Sequence, residues 1–418
     1  MPNISQQVET LRSLLVDRYT SFDADLLEFD SADDELEVAP GDVRLVRDKL
    51  RPKLFPYQSE LSRAFVDLVN HRRDGLIALP TGAGKTRTAV NAILASLVDL
   101  EVRRVIWLAP STELVDQAAS TFSNLWVEFG SAPDIDVDRT LSSFSSGRNS
   151  VLFTTPQAIY SASKRGKLNA SGVQIVVFDE AHQLGARTFL DSVDAIRAQS
   201  PDAVLVGLSA TPGRVDPRET DELVDYFGGN LVVSPSLSPN PVKTLQRFGV
   251  LAQLKFRDVP KNKSDNEATR ITTTLKLLEK LHESGSRVMV FSESVAGAIV
   301  VAELARASSI PANAVYGELS EGERRRRIAQ FGAGTVSVLT NQRLLATGYD
   351  CPAITDLVLI GKIGSPILFE QVIGRGARGP LTGGSRVTRI WQFDDHLKIH
   401  GLPNSYYRYV DFDWKKSN

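Results

Sequence analysis

The sequence predicts an α/β protein made of two doubly wound parallel-sheet domains in tandem, and three observations carry that expectation. The chain has 418 residues, of which 42% are hydrophobic, a length that suits two to three domains and a composition ample for their cores. Short apolar runs alternate with helical stretches at 76–79, 104–109, 150–154, 173–178 and 204–208, and the alternation starts afresh at 287–291, 312–316, 335–340 and 355–360. Buried strands separated by helices are what a parallel sheet covered on both faces requires. Between the two series lie a Pro/Ser-rich stretch, Ser234-Pro-Ser-Leu-Ser-Pro-Asn-Pro241, and a polar one, Lys261-Asn-Lys-Ser-Asp-Asn-Glu267. They bracket a small element at 242–260 and read as a connector. The expected organisation is an N-terminal extension over 1–45, a first domain over 46–233, a connector over 234–268 and a second domain over 269–418.

The first strand runs into Leu79-Pro-Thr-Gly-Ala-Gly-Lys-Thr86, after which Val90, Ile93, Leu94 and Leu97 mark one apolar face of a helix from Lys85 to Val98. Strand, glycine turn and helix in this order form a phosphate-binding loop, here Thr81, Gly82, Ala83, Gly84, Lys85 and Thr86. Gly82 and Gly84 let the backbone approach phosphate oxygens, and the helix N-terminus offers them free N–H groups. Lys85 reaches the β- and γ-phosphates of ATP, and Thr86 is placed to hold Mg²⁺ through its hydroxyl. Leu79 stands where the usual pattern has its first glycine.

Strand 173–178 ends in Asp179-Glu-Ala-His182. A carboxylate at the C-terminal end of a parallel strand faces the ligand crevice of a doubly wound sheet. Asp179 is therefore the expected partner of Thr86 on Mg²⁺, and Glu180 the expected general base that orients the attacking water.

Further short motifs punctuate the chain: Arg51-Pro-Lys-Leu-Phe-Pro-Tyr-Gln58, Leu108-Ala-Pro-Ser-Thr-Glu-Leu-Val-Asp-Gln117, Thr154-Thr-Pro-Gln157 and Leu208-Ser-Ala-Thr-Pro212 in the first half. The second half adds Val288-Met-Val-Phe-Ser292, Val315-Tyr-Gly-Glu-Leu-Ser320, Leu344-Leu-Ala-Thr-Gly-Tyr-Asp350 and Gln371-Val-Ile-Gly-Arg-Gly-Ala-Arg378. With the phosphate loop and Asp179 to His182, the series resembles the superfamily 2 helicases and translocases of the DEAH-box type over about residues 50–395. Among these it is similar to RadD-like repair helicases, XPB and the motor subunits of type I and type III restriction enzymes.

The resemblance implies two RecA-like domains with ATP in the cleft between them. Gln58 then reads the adenine edge, and Gly348 and Asp350 approach the nucleotide from the second domain. Gln371, Arg375 and Arg378 complete the catalytic set, the two guanidinium forks meeting charge on the transferred phosphoryl group. His182, Ser209 and Thr211 couple hydrolysis to movement, and Pro110, Ser111, Thr155, Pro156, Gln157 and Thr347 grip a nucleic-acid backbone. Ser111 sits where many relatives have a basic residue, and Asn341 stands early in its element.

The formal net charge of −2 neither demands nor excludes a nucleic-acid partner, because such motors contact phosphates through backbone N–H groups and hydroxyls as well as through Lys and Arg. Lys164, Arg165 and Lys167 follow Thr154 to Gln157 closely and read as groove residues, whereas Arg324 to Arg327 advance about 100° each and read as a solvated helix. The acidic run Asp30 to Glu37 reads as a solvated loop, and the aromatic tail from Trp391 to Trp414 as a closing strand or helix on the second domain. Cys351 is the sole cysteine, which excludes an internal disulfide and a cysteine-based metal site. No apolar stretch reaches ~18 residues, so the expectation is no membrane partner and a cytoplasmic protein, nucleoid-associated in a bacterium. The expected activity is ATP-driven helicase or translocase action on nucleic acid, DNA in preference to RNA, in repair or defence, with a protein partner supplying specificity. The rival is a nucleic-acid-sensing ATPase switch that clamps a duplex and signals without travelling.

Overall fold

The computed structural model describes residues 4–8, 53–129, 134–144, 149–184, 187–214, 216–259, 265–346, 354–401 and 414–416. They form two compact units divided near residue 245, the first also holding residues 414–416 and the second residues 4–8. Residues 4–8 are a helical segment, α1. The first unit continues with α2 (Pro56–Asn70), β1 (Gly75–Ala78), α3 (Lys85–Asp99), β2 (Arg104–Leu108), α4 (Thr112–Glu128), β3 (Asp136–Asp138), β4 (Ser150–Thr154) and α5 (Pro156–Lys164). It is completed by β5 (Ile175–Asp179), α6 (Arg187–Arg197), β6 (Val204–Ser209), α7 (Pro217–Tyr226) and β7 (Asn230–Val232).

After α8 (Pro241–Arg247) come β8 (Gln253–Asp258), α9 (Glu267–Glu283), β9 (Val288–Phe291), α10 (Val295–Ala307), β10 (Ala312–Val315) and α11 (Glu321–Ala333). The chain then forms β11 (Val338–Asn341), β12 (Asp356–Leu359), α12 (Pro366–Gly376), β13 (Val387–Gln392), α13 (His396–His400) and β14 (Lys415–Lys416).

The first sheet runs in the order β14-β7-β1-β6-β5-β2-β4-β3 and the second β10-β11-β9-β12-β13-β8, with every pairing parallel. The strands β1, β2, β4, β5 and β6 are buried at every position, as helices on both faces demand. In the second sheet the alternation of strand side chains sorts the core by face. Val288, Val290 and Val358 pack in one apolar cluster, and Met289, Phe291, Leu357 and Leu359 in the other. Helix starts are set by small polar caps: Ser111, Thr155, Asn266, Ser294, Ser320 and Ser365 each accept a hydrogen bond from the first turn. A cap of this kind is worth about 1 kcal/mol.

The nine strands read from the sequence are present to within about three residues at either end. Among the described residues, five others are not apparent from the pattern. Strand β8 lies inside the expected connector yet pairs along its whole length with β13, so residues 253–258 belong to the second sheet. Its exposed Gln253, Lys255 and Arg257 hide the strand signal, because an edge strand keeps one face and one rim wet. The ends of the chain also differ from expectation. Val8 is buried in the core of the second unit, so part of the 1–45 segment is built into that unit. The tail from Trp391 to Trp414 divides: β13 and α13 stay with the second unit, while Trp414 is buried in the core of the first and β14 pairs with β7. The acidic run 30–37 lies outside the described residues.

Among the described residues, no helix is long and apolar enough to cross a membrane. Of the four consecutive arginines, Arg325 and Arg326 are exposed and pair with Glu321 and Glu323, whereas Arg327 turns inward and donates to Ala314 O at 2.8 Å. Expected to be solvated throughout, that run contributes one arginine to the interior.

Candidate functional site

The first unit gathers its chemistry at the C-terminal ends of three adjacent strands, β1, β6 and β5. β1 leads into the phosphate loop, and Leu79 N donates to Ser209 O at 3.1 Å, so the loop starts in register with the end of β6. Gly82 and Gly84 have φ of 83° and 87°, the left-handed region that favours glycine. A Cβ on Gly84 would also collide with the Gln58 amide. Helix α3 begins at Lys85 with no side-chain cap on its first N–H groups, which leaves them for an anion. Lys85 and Thr86 are half-buried there.

Helix α2 holds this loop in place. Tyr57 Oη donates to Ala83 O at 2.9 Å and Gln58 Nε2 donates to the same carbonyl at 3.2 Å. Gln58 Oε1 accepts from Phe55 N at 3.1 Å. The Gln58 amide is thus engaged at both ends by the backbone, with one amide proton and one lone pair left for any other partner. Sequence reasoning gave Gln58 the adenine edge and gave Tyr57 nothing. Burial of the Tyr57 ring raises its pKa, which keeps the hydroxyl a donor.

The carboxylates follow from β5. Asp179, its last residue, is buried, and its Oδ1 accepts from Glu180 N at 2.9 Å. Burial first, then the neighbouring Glu180, push the Asp179 carboxyl up to about 7, partly offset by Lys85. A buried carboxyl held short of full ionisation near neutral pH is one that a cation would charge. Glu180 sits at φ 52°, ψ 50°, a left-handed conformation that is strained for a residue with a side chain. The turn is packed tightly, since a Cβ on Gly207 of β6 would lie 2.9 Å from Ala181 Cβ and 2.5 Å from the Phe227 ring.

His182 joins the carboxylates to β6. Its Nδ1 lies 3.2 Å from Ser209 Oγ and 3.5 Å from Glu180 Oε2. Ser209 Oγ donates to Thr211 O at 2.8 Å and accepts from Thr211 N at 3.0 Å. Because the hydroxyl proton is directed to Thr211, Nδ1 must be the protonated nitrogen, donating to Ser209. Burial lowers the His182 pKa, Glu180 opposes this, and Lys85 and Arg214 reinforce it, so the ring is neutral at pH 7. Arg214, which sequence reasoning missed, donates from Nε to His182 O at 2.8 Å and pairs with Glu219 at 3.1 Å. It stands two residues beyond the quoted Ser-Ala-Thr-Pro element, where a basic residue was the available signal.

Two strands along, β2 and β4 end in the residues expected to grip a nucleic-acid backbone. Ser111 caps α4 by accepting from Leu114 N at 3.4 Å, and Thr155 caps α5 by accepting from Ala158 N at 3.3 Å. Both hydroxyl protons are left to other acceptors. Pro110 is half-buried, Pro156 is the first residue of α5 and buried, and Gln157 beside it is exposed.

In the second unit, α12 carries Gln371, buried, and Arg375, half-buried in its last turn, with half-buried Arg378 just beyond. Their backbone is held by close packing. Thr388 Oγ1 donates to Gly376 O at 2.6 Å, Ala252 N to Ala377 O at 2.7 Å and Gly379 N to Val250 O at 2.9 Å. A Cβ on Gly376 would meet Thr388 Cγ2 at 2.7 Å and Leu357 Cδ1 at 3.0 Å. Asn341, noted as unusual, is buried and bridges Val290 O to Leu345 N, so its role here is to fix the turn after β11. Thr347, Gly348 and Asp350 lie outside the described residues.

The residues of the first unit fit a magnesium nucleotide. Thr86 and Asp179 would hold the ion, and among the described residues no cluster of three acidic, His or Cys ligands competes for a metal. One carboxylate and one hydroxyl suit Mg²⁺, which completes its shell with water and phosphate.

Comparison with known proteins bears on the fold and on the family likeness of the two units. Residues 51–214 match the family described as the type III restriction enzyme res subunit, and residues 269–380 match the helicase conserved C-terminal domain. A protein of the Sulfolobus islandicus filamentous virus described as a helicase is 26% identical over 351 residues, 77% of this chain and 61% of its own length. The mitochondrial DEAD-box ATP-dependent RNA helicase 9 of Arabidopsis thaliana is 26% identical over 372 residues, 84% of this chain and 56% of its own. The chain thus spans about three-fifths of the length of these curated relatives.

Among solved structures, Saccharomyces cerevisiae Dbp5 bound to RNA and ADP BeF3 shares the fold with a TM-score of 0.62 at 20% identity, covering 87% of this chain and 90% of that one. A fragment of an HsdR subunit of a type I restriction enzyme from Vibrio vulnificus gives 0.59 at 21% identity, covering 86% and 67%. Two parallel-sheet units, the first over the residues that match the type III restriction enzyme res subunit and the second over those that match the helicase conserved C-terminal domain, are the tandem architecture of the superfamily 2 helicases, ATP-dependent enzymes to which this chain is similar in both units.

Proposed function

We propose that the protein is a nucleic-acid-dependent ATPase of the DEAH-box type that moves along or separates strands, acting on DNA in preference to RNA. The observation that carries this reading is the set at the ends of β1, β5 and β6, where the phosphate loop, Asp179, Glu180 and the His182–Ser209 bond stand together. In this reading Lys85 and the N–H groups of Thr81 to Thr86 hold the β- and γ-phosphates, and Thr86 and Asp179 hold Mg²⁺. The ion supplies charge neutralisation across the phosphates. Glu180 accepts the proton of the attacking water, while Arg375 and Arg378 of the second domain meet the charge that develops on the transferred group. Gln371 orients the same group, and Gly348 and Asp350 face the nucleotide. Gln58, through its remaining proton and lone pair, reads the adenine edge.

His182, Ser209 and Thr211 pass the loss of the γ-phosphate to β6, and Pro110, Ser111, Thr155, Pro156, Gln157 and Thr347 hold the strand backbone. The DEAH assignment is supported by the bond from His182 to Ser209. The preference for DNA is supported by the restriction-enzyme family match of the first domain. A role in repair or defence, with a partner protein that supplies specificity, follows from the same likeness.

The test is ATP turnover measured with single-stranded DNA, duplex DNA and RNA of several lengths, beside strand separation from a fork. Stimulation by DNA that grows with length and falls with salt supports a motor. Stimulation without length dependence points instead to a switch that clamps and signals. Absence of any response to nucleic acid at low salt removes the reading.

A further inference from the structure

The segment that joins the two units is hydrogen-bonded at both of its ends to elements that carry the nucleotide chemistry. At its start, Ser234 Oγ donates to Glu60 Oε2 at 2.5 Å, Ser236 N donates to the same oxygen at 3.3 Å, and Ser236 Oγ donates to Glu60 Oε1. Glu60 lies on α2, three residues from Tyr57 and two from Gln58, the pair that holds the Ala83 carbonyl of the phosphate loop. The turn Pro235–Leu237 and the seven-residue helix α8 follow.

At its far end, Ala252 N donates to Ala377 O, while the carbonyl of Val250 accepts from Gly379 N and Thr382 Oγ1, and that of Gly249 from Leu381 N. Those are the residues that flank Arg378. Gln246 Nε2 closes this end by donating to Ala252 O at 3.0 Å. A Cβ on Gly379 would collide with the Gly249 carbonyl, so this approach leaves no slack.

We infer that the connector 234–252 is a positioning element of the ATPase, clasped through Glu60 to α2, the helix that holds the phosphate loop, and through Gly249, Val250 and Ala252 to the arginine loop. This deepens the proposed ATPase and rests on it. Glu60 is a positioning residue: it accepts from the connector, and whatever shifts α2 when the phosphate loop fills is passed to the start of that segment. The serine hydrogen bonds hold the Glu60 carboxyl below its ordinary value against the opposing effect of burial, so the acceptor is charged at neutral pH and its bonds are the stronger charge-assisted kind. Loss of the clasp removes an interaction with the transition-state arrangement and leaves ground-state ATP contacts alone, which predicts a change in kcat with little change in KM.

The experiment uses the full chain and compares wild type with Glu60→Ala, Glu60→Gln, Ser234→Ala/Ser236→Ala and the combined Glu60→Ala/Ser234→Ala/Ser236→Ala variant. Turnover with nucleic acid, KM for ATP and thermal midpoint are measured for each. The clasp predicts roughly a tenfold fall in kcat for Glu60→Ala, a KM within about twofold of wild type, and partial recovery in Glu60→Gln, which keeps the acceptor oxygen. It also predicts that the combined variant is no worse than Glu60→Ala, because all three side chains act through one set of bonds. Additive losses, a rise in KM at constant kcat, or a fall in kcat fully matched by a lower thermal midpoint would each overturn the clasp. A wild type that ignores nucleic acid fails the motor reading itself, whereas a responsive wild type with unchanged Glu60→Ala turnover fails the clasp alone.

Discussion

The two halves of the proposed ATP site are built by opposite means. In the first unit the positions are fixed by polar side chains under electrostatic and conformational strain: Asp179 is buried beside Glu180, Glu180 is left-handed, and His182, Ser209, Thr211 and Arg214 form a chain of hydrogen bonds. In the second unit the arginine loop is held through its backbone, by backbone hydrogen bonds, by the Thr388 hydroxyl on Gly376 O and by glycines that admit no side chain. A site that must charge and discharge during a cycle uses groups whose ionisation is costly until a ligand arrives. A loop that needs only to present permanent positive charge can be placed by packing, since arginine carries its charge at every working pH.

This contrast can be broken most severely at the first half. Lys85→Ala should lower ATP hydrolysis by roughly 10³-fold or more, because it removes charge aimed at the phosphates, while circular dichroism and the thermal midpoint stay near wild type. Glu180→Gln should lose turnover to a similar degree yet retain ATP and nucleic acid, since water activation is lost and binding is not. Equal ATP affinities for the two variants in a filter-binding measurement would remove Glu180 from its role.

In the second half, Gly376→Val should act through packing. The added side chain meets Thr388 and Leu357, and overpacking of this kind destabilises by about 1–3 kcal/mol. Calorimetry should show a lower thermal midpoint together with loss of turnover, and a variant with wild-type stability would mean that the loop has slack.

A smaller effect separates the halves by pH. The Asp179 carboxyl is raised from 3.8 to about 7, so the ligand-free fold is favoured by this group at low pH and loses that advantage as pH rises from about 4 through about 7. Mg²⁺ needs the ionised form, so its affinity should fall up to about tenfold per unit as pH drops below about 7. Titration of Mg²⁺ and nucleotide against pH by calorimetry checks this, and Asp179→Asn should flatten the profile. The smallest expected change is for Ser209→Ala, which removes the hydrogen bond between Ser209 and His182 Nδ1. Basal turnover should change less than about threefold while stimulation by nucleic acid weakens, read as the ratio of the two rates.

Much of this was legible in the sequence for a physical reason. β1, β5 and β6 are buried on both faces, so their apolar runs are continuous, and the glycine and carboxylate signals sit where such strands end. The phosphate loop, Asp179 and Glu180 could therefore be placed before any fold was known. β8, β7 and β14 were not legible, because short or edge strands leave a weak pattern. Neither were Tyr57, Glu60 and Arg214, whose importance lies in hydrogen bonds to backbone or to residues far along the chain, which no local spacing encodes. The return of Trp414 to the first core is of the same kind, a pairing set by packing rather than by neighbours in sequence.

The central claim is that the second domain completes the ATP site of the first, and single-turnover hydrolysis by Arg375→Ala and Arg378→Ala at saturating ATP and nucleic acid tests it most directly. The account predicts that each variant binds ATP nearly as wild type does and hydrolyses it about 10³-fold more slowly, because the arginines meet charge present only in the transition state. Wild-type hydrolysis rates in both variants would contradict it and confine the chemistry to the first domain.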